Sequence, residues 1–382
     1  MVPVTPDLIP PGANAALLER FTALGLPGNK TEQYRHFAIK PLLAKAYAFK
    51  TVTEHTPVSG KRLVIENGSV TEIPAGVSVT YVSPFEADPA HYDALYFLSH
   101  LLSPAVICIE AESDLFFELH HVVTEAQALL PYRICLSVLP QKHVEVFETF
   151  ETHGSSGSLI LYGVDTDVNA HATLRWVRDQ YGAASDTALV GTHRFNVGAN
   201  GALELKTFDF GTAQALHLYK IDLGEYGWCD AAHLLMAGGE ARRGNVVRIN
   251  HDKPYAKCVQ DARSILKETA TGIFDGLVRV GGEARYASAR QNSKAVLLDK
   301  HAYMYAKPQL EIYTDELEAS HGATIGQLDE DALFYLRSRG IPEAEARKML
   351  VLAFADVLID SVGEGELAER IHADFEAAYF TV

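Results

Sequence analysis

Between residues 60 and about 320 the chain is a succession of short apolar runs separated by turn signals, and their spacing limits the fold more than any other feature. GEARYASA, KHAYMYAK and LEASHGAT follow one another with Ala284, Ala302 and Ala319 in matching places, eighteen and seventeen residues apart. Turn signals recur with them, at Gly281-Gly282, Asp299-Lys300 and Asp315-Glu316. So short a step leaves no room for a crossover helix and argues against a doubly wound sheet. Small residues returning once per turn suit a parallel β-helix, in which each coil stacks on the last. Antiparallel sandwich strands remain the competing arrangement on spacing alone.

The rest of this region reads the same way. Asn67-Gly68 in KRLVIENGSVTEI and Asn200-Gly201 in HRFNVGANGALELKTFDF are hairpin-type dipeptides between apolar runs. ALHLYKIDL and VVRINHD alternate at period 2. Residues 165 to 186 are read as able to hold a short helix. The flanks are helical. Leu17, Leu18, Phe21 and Leu24 share one helix face, ended by Gly25 and Pro27. After the array, Asp329 is an N-cap for EDALFYLRSR, Gly340 suits the residue after that helix, and Pro342 suits the first position of the next. Ala346, Met349, Leu350, Ala353, Phe354, Val357 and Leu358 then form an apolar series, and Leu367, Ala368, Ile371, Phe375 and Ala378 another. The expected organisation is an N-terminal helical region over 1–59, a β-helix core over 60–326 and a C-terminal helical domain over 327–382.

A net charge of −16 excludes a phosphate-backbone binder, which needs a basic stripe, and docking on an anionic membrane. The first residues, MVPVTPDLIPPG, lack a basic and then apolar signal pattern, and the apolar stretch from Tyr96 to Ile109 is broken by His, Ser and Pro. A cytoplasmic location with reduced thiols is expected. Cys108, Cys135, Cys229 and Cys258 form no CxxC pair, and each is expected to be buried and inert.

Catalytic signatures are absent. The sequence contains no GxxxxGK[ST], GxSxG or HExxH, so neither ATP hydrolysis nor these hydrolytic chemistries is expected of this chain. His120 and His121 would point to opposite faces of a strand and so not share an ion. His217 and His233 are face residues of alternating strands, and His251 precedes a turn. His321 differs: it lies among Ala319, Ser320, Gly322 and Ala323 at the end of the array, where the last coil leaves an open edge. Small neighbours let a partner backbone approach, and an imidazole there is placed to give one nitrogen to a metal held between two subunits. His301, one repeat earlier, is a candidate for the same side.

Several motifs resemble the SufB/SufD family of iron–sulfur cluster assembly proteins. They are Gln291, Asn292, Leu297 and Leu298 in a Q-x-N…L-L pattern, K-P-x-L-E-I from Lys307 to Ile312, S-H-G-A-T from Ser320 to Thr324, and L-F-Y-L-x-S-R-G from Leu333 to Gly340. GLPGNKTEQYRHF resembles the family's N-terminal element, with Tyr34 where an aromatic is expected. The S-H-G-A-T-x-G-Q-L-D run is SufD-like, and no cysteine follows Cys258, so a SufB-type thiol site is missing. The resemblance implies a mainly β fold with flanking α: a right-handed parallel β-helix with an N-terminal helical segment and a C-terminal helical bundle. It implies a non-enzymatic scaffold that pairs with SufB and binds the ATPase SufC, so that ATP enters only through SufC. His321 would share a nascent iron–sulfur cluster or iron with SufB at their interface, and a flavin is left unassigned. Arg337, Arg339 and Phe354 are the partner-binding candidates. Many SufD proteins carry a cysteine two residues before the histidine; here it is Ala319. The alternatives are a structural homodimer through the same edge and, below it, a β-helix enzyme acting on polysaccharide.

Overall fold

The computed structural model describes residues 1–50, 56–83, 85–103, 105–111, 113–154, 157–182 and 186–381. Its centre is a parallel β-solenoid. The chain alternates between two sheets, so that strands two apart in sequence pair side by side. Sheet I runs from Ser78–Val82 to Tyr303–Ile312, and sheet II from Val58–Gly60 to Leu317–Gly326. In sheet II, Cys229 pairs with Cys258, Cys258 with Ala289, and Ala289 with Ala319, so one coil takes roughly 30 residues.

That period corrects the repeat read from the sequence. Ala302 is a corner residue aligned with Ala270, whereas Ala319 lies within a strand of the other sheet. Steps of seventeen and eighteen residues pass from one sheet to the other and do not mark a whole coil. Asn200-Gly201 is corrected too. The strands around it, Ala188–Val197 and Ala202–Gly211, belong to different sheets, so the dipeptide turns a coil corner. Asn200 has φ 54, and the same corner takes φ 58 at His171, 55 at Tyr226, 62 at Tyr255 and 59 at Tyr286. One left-handed residue redirects the chain without closing a hairpin. Asn67-Gly68 does close one, between the antiparallel strands Leu63–Glu66 and Ser69–Pro74. The helix expected within 165–186 is absent among the described residues; strands Leu159–Val168 and Thr173–Gly182 occupy that stretch.

Three cores hold the fold. Inward-facing side chains of both sheets fill the solenoid, among them Leu174, Trp176, Leu203, Leu205, Ile249 and Val278. Each fully buried aliphatic contributes about 1.5–3 kcal/mol of transfer free energy. The outer face of sheet I is covered by α1 (Ala15–Leu24) and α3 (Ala94–Leu102), with the short α2 (Ile39–Ala44) beside them. The broken apolar stretch Tyr96–Ile109 thus becomes most of α3 and most of strand Val106–Ala111, with Pro104 outside the described residues.

The outer face of sheet II receives α5 (Glu343–Ile359) and α6 (Glu366–Thr381), which follow α4 (Glu330–Ser338). Asp329 caps α4 by accepting from the Asp331 and Ala332 N–H groups at 2.9 and 3.1 Å. Pro342 is the cap residue of α5 and not its first helical position. The buried stripe of α5 is Ala346, Val351, Ala355, Leu358 and Ile359. Met349 and Val357, expected on the packed face, are exposed because the helix turns Val351 and Ala355 toward Phe208, Phe210 and Leu234.

Candidate functional site

The two sheets end together. Tyr303–Ile312 is the last strand of sheet I and Leu317–Gly326 the last of sheet II, each paired on one side only. Every residue of the final strand after Leu317 is exposed. Register shows which of them face the lumen. Ala289, Gln291, Ser293 and Ala295 are buried inside the coil below, and Ala319, His321, Ala323 and Ile325 stand over them. Across the opening, Ala306 and Pro308 stand over Phe274 and Gly276. The open end is therefore a shallow surface of small and apolar side chains with one imidazole, His321, rising from it.

No other described residue completes a metal site there. Among the described residues no group of three or more His, Cys, Asp or Glu is placed to hold an ion. Ala319 tops an inward column whose lower members are Ala289, Cys258 and Cys229. Both thiols are buried; burial pushes Cys258 up to about 12 and Cys229 well above its usual range. His251 Nε2 also contacts Cys258 Sγ at 3.1 Å. Protonated and enclosed two coils down, Cys258 cannot act as a ligand at the edge. Among the described residues, His321 is thus the one exposed imidazole facing the open lumen, and remaining ligands would come from another chain.

Eight other histidines, His91, His100, His120, His121, His193, His217, His233 and His251, are buried. His120 faces outward, 2.8 Å from Thr149 Oγ1, while His121 faces inward, 3.0 Å from Glu148 Oε1, so the pair does diverge. His301 lies in a corner, and the residue one coil below His321 is Gln291. Inside the solenoid, Arg178 forks onto Asp209 at 3.0 and 3.2 Å and donates to Tyr219 Oη at 2.6 Å. His217 touches Arg178, Gln180 and His193. Burial, then the Arg178 charge, drives His193 and His217 well below the usual imidazole range, so both are neutral. Burial opposes the charge of Glu148, but the His121 and Trp176 hydrogen bonds and the Arg178 field hold its carboxyl below the usual range. This network pairs its charges internally and is enclosed, which is the signature of a structural element. Its residues alternate with apolar ones at strand period, so the sequence disclosed which face they share but not that they meet.

Cys108 and Cys135 overturn the expectation of reduced thiols. They are register partners on adjacent strands of sheet I, and a disulfide joins them, with a Cα–Cα distance of 4.5 Å. Only knowledge of the coil length brings two cysteines 27 residues apart together.

The three partner candidates occupy different surroundings. Arg337 is exposed and lies 3.4 Å from Glu343. Arg339 is exposed over the Tyr335 ring, next to the exposed Phe334. Phe354 is half-buried against sheet II, where Arg263 stacks on its ring and donates to its carbonyl at 2.8 Å. Among the described residues no helix is long and apolar enough to cross a membrane.

Comparison with known proteins bears on this geometry. The family described as SUF system FeS cluster assembly, SufBD core domain, matches residues 121–354, from the first full coils through the open end into α5. The iron–sulfur cluster assembly protein SufD of Escherichia coli is 34% identical over 125 residues, 33% of this chain and 30% of that protein. SufD of Bacillus subtilis is 30% identical over 139 residues, 36% of this chain and 31% of that protein. A SufBD family protein of Mycobacterium bovis is 28% identical over 229 residues, 55% of this chain and 54% of that protein. In each case the matched stretch spans less than two thirds of the relative's length.

Proposed function

Since the chain belongs to the SufBD core family of the SUF iron–sulfur cluster assembly system, we propose that it is a non-catalytic scaffold whose open end pairs with SufB and whose His321 shares a nascent cluster with that partner. The observation that carries this is the juxtaposition at the end of the solenoid: two unpaired strand edges, small side chains and a single exposed imidazole. An edge strand offers a row of backbone donors and acceptors, and a second β-solenoid can continue sheet II across it. The cluster is cargo. It needs ligands from both sides, because this chain contributes one.

SufC is proposed to bind at the C-terminal helices, where Arg337, Arg339 and the exposed Phe334 and Tyr335 lie. Those helices are tied to the coils. Phe354 in α5 accepts from Arg263, and the Tyr379 carbonyl in α6 accepts from Lys267 at 3.1 Å. Both cations sit on or just after strand Lys257–Leu266, two coils below His321. ATP-driven movement of SufC would thus load the coils next to the interface, a shift between two states of one assembly.

The test is anaerobic cluster reconstitution with SufB and SufC. His321→Ala is expected to leave the fold and the complex intact and to lower cluster formation; unchanged formation contradicts the reading. The same edge is equally able to meet a second copy of this chain. Light scattering of the isolated chain, with and without SufB, separates the homodimer: a dimer that SufB does not dissociate favours it.

A further inference from the structure

Beneath His321 the solenoid holds a short amide ladder. Gln260 and Gln291 are register partners, both 1% exposed, and the Gln291 Nε2 donates to Gln260 Oε1 at 2.7 Å. A side-chain amide carries its donor and acceptor at opposed ends, so amides stacked at the strand spacing of about 4.8 Å form a ladder with a direction. Here donors point toward the earlier coil and acceptors toward the later one. The two loose ends agree with that direction: Gln260 Nε2 and Gln291 Oε1 are the amide atoms without a hydrogen-bond partner. Next to the free donor the register places Ala231, which has no acceptor in its side chain. Next to the free acceptor it places His321. Gly276, on the facing sheet, makes room: a methyl group there would lie 2.3 Å from Gln291 Nε2 and 3.1 Å from Gln260 Oε1.

A buried carbonyl oxygen without a donor is costly, and an imidazole on the next rung of the same column supplies one N–H. We propose that Gln291 is a positioning residue for His321. Its Oε1 accepts from one ring nitrogen, which fixes a single neutral tautomer and directs the other nitrogen's lone pair out of the open end. A ligating histidine is commonly oriented in this way by a partner on its second nitrogen. The value of that orientation rests on the reading of His321 as a cluster ligand; the hydrogen bond does not.

The experiment is imidazole ¹⁵N NMR on the full chain with labelled histidine, at pH about 8, where an ordinary imidazole is neutral, with His321→Ala giving the assignment. Expected in the native chain is one dominant tautomer of His321, a ring N–H protected from solvent exchange, and a nuclear Overhauser contact to the Gln291 side chain. Gln291→Met, equal in length but without the acceptor, is expected to release His321 to the tautomer mixture of free histidine, and Gln291→Glu to restore a single tautomer. A native His321 with the free-histidine mixture and a freely exchanging N–H overturns the proposal, even if Gln291→Met fails to fold. So does a single tautomer that survives Gln291→Met. In the complex with SufB and SufC, Gln291→Met is expected to weaken iron(II) binding about 10–100-fold. If His321→Ala leaves cluster assembly unchanged while the tautomer responds to Gln291→Met, the cluster reading fails and the Gln291 assignment stands.

Discussion

The first end of the solenoid is closed and the last is left open. At the first end, Ser69–Pro74 folds back antiparallel on Leu63–Glu66, and Ser78–Val82 does the same on Val106–Ala111. These turns bury Leu63, Ile65 and Val70 almost completely. At the last end both sheets stop on parallel strands with no described residue folded over them, and Ile325 is 47% exposed. Natural edges are commonly blunted by lysine, proline, inward charges or bulges. The final strand, LEASHGATIG, has one charged residue, Glu318, and it points outward. The same chain that caps one end leaves sheet II at the other flat, short-chained and able to pair, while Lys307 and Pro308 blunt the last strand of sheet I.

The contrast can be broken by mutation. The largest expected effect is at the closed end: Ile65→Ala should lower unfolding free energy by about 2–5 kcal/mol, through lost transfer energy and the cavity left behind. Ile325→Ala in the isolated chain should change it by no more than about 0.5 kcal/mol. Urea denaturation of the two variants checks both, and equal losses would mean that the last coil is packed in the free chain.

Acid should act on the interior common to both ends. Burial lowers His91 and His233 to about 3 and His251 to about 4. All three are neutral in the folded state, whereas the unfolded chain takes up their protons near pH 6.5. Stability is therefore level, as far as these groups go, above about 6.5. It falls with decreasing pH toward the folded values by about 1.4 kcal/mol per pH unit for each histidine. Thermal melts between about pH 7 and 5 should show the decline, and His233→Gln should make it shallower; an identical slope would show that His233 is not held neutral.

The smallest effect on stability, and the sharpest on assembly, is expected for Ala323→Pro, because the N–H of Ala323 faces the open side of the last strand, whereas that of Thr324 pairs with the coil below. Proline removes one edge N–H and resists pairing on a central strand. The isolated chain should keep its melting temperature within a few degrees, while co-purification with SufB is lost. Retained co-purification would remove the edge from the interface.

Local chemistry was legible in the sequence and long-range pairing was not. Asp329, Gly340 and the Asn67-Gly68 hairpin are decided by near neighbours, and the sequence shows them as they stand. Asn200-Gly201 carries the same local signal, but whether its flanking strands join each other or the coils beyond depends on contacts about 30 residues away. Two sheets visited in turn make a half-coil resemble a repeat, which is why Ala284, Ala302 and Ala319 aligned. That error also hid the Cys108–Cys135 neighbourhood and set His301 in place of Gln291 beneath His321. The imidazole itself stood out because small residues surround it. The amide ladder supporting it stayed hidden, since a buried glutamine and an exposed one read alike until the register is known.

The central claim is that the last coil is completed by a partner, and backbone hydrogen exchange of the intact chain, alone and with SufB, tests it most directly. The account predicts rapid exchange across Leu317–Gly326 in the free chain, strong protection of that strand in the complex, and unchanged protection of Leu63–Pro74 at the closed end. A complex that forms while Leu317–Gly326 exchanges as fast as in the free chain would contradict it.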